Sequence, residues 1–309
     1  MTSILAVASY LPPRSVAVAD HLAELGIEVD AGLYQQYYGF GRIRRDPPGN
    51  LAEQLVAAGR RLDRLATDAP RVRYLVHAPT IAHTAPYPHT PLWQARAELG
   101  LHQALPFTLS QHACASALLA IDTCGRLLAA DGDPDALALL LTGEKTFTGV
   151  AQFIADSAVL GEGVAAVLIG PGGDRDRVLS YATRTLGEFH EAPELSPRLQ
   201  EEFQGRYTEV LAEVILAATR QAGLTTADIT LVLPHNVNRI SWWRVLTRAG
   251  LPKSRLFLDN QAELGHCFGA DPFLGYQAAL ASGRLRPGDH YVLTAAGLGA
   301  TLAATVVRH

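Results

Sequence analysis

Apolar and polar positions along this chain switch between two periods. Runs of β-prone residues such as Ile4 to Tyr10, Arg73 to His77 and Ile229 to Leu233 alternate with stretches in which apolar residues recur every three or four positions. That alternation of strand and helix predicts an α/β architecture. Val18 to Leu25 reads as a short helix, and Tyr34 to Gly41 as an aromatic turn punctuated by glycine. Asn50 is placed to cap a helix over Leu51 to Ala66, since Leu51, Leu55, Ala58 and Leu62 share one face. The stretch from Ala78 to Pro91 is too rich in proline, histidine and threonine to be regular, and helical spacing resumes over Leu92 to Leu99. The longest amphipathic pattern, Leu199 to Ala222, carries Tyr207, Val210, Leu211, Val214 and Ile215 on one stripe.

The pattern also repeats. Arg73 to Pro79 has a counterpart in Ile229 to His235, Pro106 to Ser110 in Leu256 to Asp259, Ala136 to Gly143 in His290 to Gly297, and Gly163 to Ile169 in Ala300 to Val306. The matches keep their order at separations of roughly 140 to 155 residues, as a duplicated α/β unit leaves behind. Two similar halves are therefore expected, residues 1–172 and 173–309, joined near Pro171 to Asp174. Loops at equivalent strand ends of halves related by a pseudo-twofold converge on one site.

Composition narrows the function classes. With 309 residues, 48% of them hydrophobic and 18% charged, the chain can bury one large or two medium cores. A net charge of -4 gives no broad electrostatic reason to bind nucleic acid or an anionic membrane. No secretory signal and no run of eighteen apolar residues is evident, so no spanning helix is expected. The cysteines Cys114, Cys124 and Cys267 form no CxxC pair and no disulfide framework, which points to the reducing cytoplasm, where a cysteine is either core or chemistry.

Cys114 stands where the β-prone run Phe107 to Leu109 gives way to a helical run of alanine, serine and leucine. The first turn of a helix offers unpaired N–H groups and the positive end of the macrodipole, and both favour a thiolate. In the second half, His235 directly follows an apolar strand, and His266 precedes the helix expected over Phe273 to Ala281. Strand-to-helix junctions are where α/β proteins usually present functional groups. Cys124, ten residues into its helix, reads as core. Cys267, beside His266, lacks the spacing of a structural zinc site, so no metal is expected.

In this order, Cys114 in an Ala-Cys-Ala-Ser setting, His235 in His-x-x-Asn-Arg-Ile and a Gly-His before a helix, the chain resembles the ketoacyl synthase III branch of the thiolase superfamily. Val7 to Arg14 resembles that family's opening strand and turn, Gly41 to Asp46 its Gly-Ile-Arg-x-Arg segment, Ala155 to Gly170 its Gly-Asp-Gly-Ala strand, and Ala295 to Ala300 its glycine-rich turn. The resemblance covers nearly the whole chain. It implies a five-layer α-β-α-β-α fold, a homodimer, and Cys114 as the nucleophile that takes an acyl group from a thioester. His235 falls at the family's first active-site histidine, and the backbone N–H groups of Cys114 and Gly297 would form an oxyanion hole. No cofactor is expected to be bound permanently; the acyl donor would be the phosphopantetheine arm of an acyl carrier protein, or coenzyme A.

The sequence departs from the family where it has asparagine, since His266 stands there and makes the set Cys-His-His. Such a pair of imidazoles suits decarboxylative condensation with a malonyl thioester in specialised, polyketide-type biosynthesis. It equally suits plain transfer to a hydroxyl or amine of a small-molecule acceptor. A thioesterase and a non-catalytic partner subunit are further alternatives. The family's Asp-Glu-Trp, which helps hold coenzyme A, is absent from Asp30 to Gly41, and this favours a carrier-protein donor. Arg42, Arg44 and Arg45 form a basic knot suited to a phosphate or an acidic carrier helix, or to a solvated turn. His112 is placed to line an acyl pocket or to act as a loop donor. Asn236 and Asn238 are placed to orient a carbonyl or cap the next helix, and Asp271 to orient His266 or start its own helix.

Overall fold

The computed structural model describes residues 2–82, 88–149, 151–192 and 194–309. Strand β1 (Thr2–Tyr10) is followed by a hairpin of β2 (Arg14–Ala17) and β3 (Arg42–Arg45), which brackets α1 (Val18–Glu24) and the single turn α2 (Ala31–Leu33). Helices α3 (Leu51–Arg60) and α4 (Leu65–Asp68) lead into β4 (Val72–Ala78), α5 (Pro91–Glu98), β5 (Leu105–Thr108), α6 (Ser116–Asp131) and β6 (Leu137–Glu144). A small ribbon, β7 (Phe153–Ile154) with β8 (Ala158–Val159), precedes β9 (Gly163–Pro171). The chain continues through β10 (Arg177–Thr185), α7 (Pro197–Gln221), β11 (Ile229–Pro234), α8 (Arg239–Ala249), α9 (Gln261–Leu264), α10 (Asp271–Ala281), β12 (His290–Gly297) and β13 (Thr301–Arg308).

The large sheet runs β11-β12-β13-β10-β1-β9-β6-β4-β5. On one side β4 is parallel to β6, and β9 antiparallel to both β6 and β1. On the other side β11 is parallel to β12, and β13 antiparallel to both β12 and β10. The segment at Leu256 bridges in parallel to Val232, as β5 lies beside β4. Each repeat in the sequence thus falls on a strand with an equivalent neighbour in the other set. The two sets touch through one rung, Ser3 opposite Arg177, and otherwise form separate sheets.

Helix α6 lies between these sheets, against β4, β6 and β9 on one side and β10, β12 and β13 on the other, with α10 beside it on β11, β12 and β1. Helix α3 covers β1, β6 and β9 from outside, and α7 covers β10, β12 and β13. These are the five layers of a thiolase-like fold. Every residue of β6 is buried, as expected for a strand covered on both faces. With its preceding turn, α6 is 19 residues long and apolar enough to cross a membrane by composition. Here that apolar surface meets the two sheets, through side chains such as Leu118, Ile121 and Cys124.

Asn50 and Glu53 close a reciprocal capping box at the start of α3. The helix expected to reach Ala66 stops at Arg60, because the next two N–H groups bond three residues back, to Ala58 and Gly59, and tighten the turn. Leu62 and Leu65 still reach the core, through the short α4. Helix α10 begins two residues before Phe273, since Pro272 is suited to a first turn. The irregular stretch between β4 and α5 lies partly outside the described residues, at 83–87.

Candidate active site

After β5 the chain enters a tight turn, Ala113–Ala115, that presents Cys114 ahead of α6. Ala113 is held at φ 46, a left-handed conformation that costs a non-glycine residue on the order of 1 kcal/mol or more. The neighbouring layer fixes this turn: β12 ends at Gly297, where a Cβ would stand 1.9 Å from the His112 carbonyl oxygen. Cys114 is 6% exposed and borders a cavity of about 420 Å³ that is also lined by His235, His266, Tyr207, Asn238 and Gly297. Residues from both pseudo-symmetric halves therefore meet at one sulfur.

His266 follows Gly265, whose φ of 68 and lack of a side chain let the backbone pass 2.7 Å from the Val159 carbonyl, measured to where a Cβ would be. Its Nε2 lies 3.5 Å from Cys114 Sγ, and its Nδ1 lies 2.5 Å from Asp271 Oδ2. The Asp271 carboxylate is held in turn by the backbone N–H groups of Asn236 and Cys267, each at 2.7 Å, and by the Asn236 side-chain amide at 3.2 Å. Burial opposes a charged imidazole, but the Asp271 carboxylate and the Cys114 sulfur outweigh it and raise His266 to about 10. An imidazolium beside the sulfur is the counter-charge a nucleophilic thiolate needs.

His235 behaves oppositely. Burial first, then the facing charge of His266, push it well below the usual imidazole range, so it is neutral. Its ring centre is 5.7 Å from that of His266, its carbonyl accepts from Trp242 Nε1 at 3.0 Å, and its Nε2 lies 3.4 Å from the Tyr207 hydroxyl. On the far side of the cysteine, Thr80 Oγ1 donates to Cys114 Sγ at 3.5 Å. The backbone N–H groups of Thr80 and Ile81 both donate to Glu144, a buried carboxyl pushed up to about 8 by desolvation.

The remaining candidates divide. Asn238 borders the cavity, but its side chain caps α8 through Ile240 N and donates to the Asp156 carbonyl. Asn236 serves Asp271 and the Gly265 carbonyl, and so supports the site from behind Asp271. His112 shapes the turn through its backbone and does not border the cavity. Arg42, Arg44 and Arg45 are likewise away from the cavity. Arg42 ties β3 to Ser15, and Arg44 donates to the Pro13 carbonyl. Arg45 turns inward to Gln152 and the fully buried Glu162, which also pairs with Lys145 at 2.9 Å. A carboxylate buried that deeply draws Arg45 in from the surface, while Arg42 and Arg44 tie down the β2–β3 hairpin. Cys267 is buried, its thiol directed at the Leu264 carbonyl. Tyr207, Thr80 and Glu144 enter the site without having been singled out in the sequence.

A family profile described as 3-oxoacyl-[acyl-carrier-protein (ACP)] synthase III C terminal matches residues 219–309. The β-ketoacyl-[acyl-carrier-protein] synthase III of Coxiella burnetii is 25% identical over 321 residues, covering 99% of this chain and 98% of that one. Among solved structures, the acyltransferase ChlB3 superposes with a TM-score of 0.85 at 20% identity, over 99% of this chain and 97% of that one. The priming β-ketosynthase of the R1128 polyketide pathway superposes with a TM-score of 0.82 at 18% identity, over 100% of this chain and 96% of that one. Nearly the whole chain is thus similar to ketoacyl synthase III enzymes, and its last third matches the C-terminal profile of that family. The likeness indicates an acyl-transferring enzyme.

Proposed function

We propose that the enzyme loads an acyl group from a pantetheine thioester onto Cys114 and passes it to the hydroxyl or amine of a small-molecule acceptor. The observation that carries this is the Asp271 carboxylate on His266 Nδ1. In the first half-reaction the Cys114 sulfur attacks the thioester carbonyl, the donor's C–S bond breaks, and the departing thiolate takes the proton on His266 Nε2. The acyl-enzyme then holds a His266 whose remaining proton is fixed toward Asp271. Its Nε2 offers a lone pair, where an enolate-forming condensation asks for an N–H donor at that position. A vacant Nε2 that can finally receive the acceptor's proton suits release onto an O–H or N–H nucleophile.

Decarboxylative condensation is the second reading, supported by the name of the Coxiella relative and by two imidazoles facing one cavity. A role in specialised, polyketide-type biosynthesis rests on the departures from the fatty-acid pattern, and a carrier-protein donor on the missing Asp-Glu-Trp. The free outer edge of β5, last in the strand order, supports pairing of two copies there.

The test is intact-mass analysis of protein incubated with acyl thioesters of coenzyme A and of carrier protein, followed by second substrates. A covalent acyl adduct that is absent in Cys114→Ala and discharges onto an alcohol or amine supports transfer. Discharge only with malonyl carrier and release of carbon dioxide supports condensation. Prompt reversion to free acid indicates a thioesterase, and no adduct at all a partner subunit.

A further inference from the structure

Loading uses Cys114, His266 and Asp271, and leaves His235 without a task. Its ring sits in the same cavity, neutral, with its edge against Trp242. Its Nδ1 has no hydrogen-bond partner among the described residues, and we assign the ring proton to it because Nε2 is the nitrogen that Tyr207 faces. The tautomer that results leaves a lone pair on Nε2, and that atom faces the Tyr207 hydroxyl at 3.4 Å. Tyr207 comes from α7, which also gives Gln200, Gln204 and Thr208 to the cavity wall. Burial and the nearby sulfur of Cys114 keep its phenol protonated. A phenol that donates to an imidazole in this way turns its oxygen lone pairs to whatever occupies the cavity, and so accepts a hydrogen bond from a protic group.

We propose that Tyr207 and His235 form a second acid–base pair that takes the proton of the acyl acceptor, an alcohol or amine held against the polar flank of α7. The inference rests on the transfer function proposed above and deepens it by separating the two half-reactions. As the acceptor's oxygen or nitrogen bonds to the acyl carbonyl carbon, its proton passes to the phenol oxygen and the phenol's own proton to His235 Nε2. The Cys114 C–S bond breaks, the sulfur keeps the electron pair, and the proton on His235 returns through the cavity to His266, restoring the starting state. No oxidant, metal or further reactant is needed. Loading runs through one imidazole and release through the other.

The experiment measures each half-reaction on its own. Cys114 is loaded from acetyl-coenzyme A, and discharge is followed by intact mass with two probes: ethanolamine, and the coenzyme A thiol, which reverses loading. Tyr207→Phe is expected to lose discharge to ethanolamine at least tenfold more than it loses loading or return to coenzyme A. In a His235→Asn background the same substitution is expected to have little further effect. Equal losses in all three reactions, or undiminished discharge to ethanolamine, overturn the relay and leave the parent function standing. A wild-type acyl-enzyme that is inert to ethanolamine, glycerol and hydroxylamine, but consumed by malonyl carrier, overturns the parent function and the relay with it. Thermal unfolding of each variant separates a loss of chemistry from a loss of fold.

Discussion

Replacing Asp271 by asparagine removes one negative charge while nearly preserving shape. The wild-type carboxylate accepts from His266 Nδ1 at 2.5 Å, from two backbone N–H groups at 2.7 Å and from the Asn236 amide at 3.2 Å. Asparagine keeps one acceptor oxygen for these donors, and its amide is free to push the His266 proton to Nε2. A hydrogen bond to a buried charged group contributes about 1.5–3 kcal/mol, a factor of roughly 10 to 150 in the population of the ion pair. An Asp→Asn change behind a catalytic imidazole can cost about 10⁴ once the wrong tautomer is included. Loading of Cys114, read as the rate of adduct formation by intact mass, is therefore expected to fall by about 10² to 10⁴ in Asp271→Asn. A second readout is alkylation of Cys114 by iodoacetamide across pH. His266 raised to about 10 keeps its imidazolium beside the sulfur through the neutral range, so its own titration adds no pH dependence to the wild-type rate there. In the variant His266 loses that support, and the rate becomes pH dependent within the same window. A variant that loads within threefold of wild type, with a flat alkylation profile, would show that the carboxylate does not govern the site.

Glu144 gives a stability test with a definite sign. Its carboxyl is pushed from 4.5 up to about 8 by burial, so the folded protein holds that proton more tightly than the unfolded chain. Stability should be fullest below about pH 4.5, decline as pH rises to about 8 and level off above. At about 1.36 kcal/mol per unit the decline is at most about 5 kcal/mol. In Glu144→Gln urea unfolding at pH 5 and 8.5 should show the decline removed; parallel losses in both proteins would count against it. Gly297→Ala would put a Cβ 1.9 Å from the His112 carbonyl, so the turn carrying Cys114 must shift. Adduct formation should drop at least tenfold, given what a misplaced nucleophile costs. Unchanged loading would mean that this close approach does not set the cysteine's position.

The strands and the place of Cys114 were legible because both write local signals: apolar runs at period two, and a cysteine at a strand-to-helix step. The ordered repeats carried the layered fold, since equivalent strands keep their apolar faces while other residues drift. Tyr207 was hidden by the same reasoning that found its helix, because a tyrosine on an apolar stripe counts as core until its hydroxyl has a place. The arginine knot misled for a related reason. A cation at the surface and one drawn inward by a carboxylate look alike until Glu162, far along the chain, is seen fully buried beneath Arg45. Asp271 offered two readings, helix start and imidazole partner, and it fills both positions.

The sulfur belongs to the first half of the chain, and the imidazoles and phenol gathered around it belong to the second. Neither half can drift alone, because any shift in one must be matched across the seam. Mutations that retune the site should therefore be found as pairs spanning the middle of the molecule.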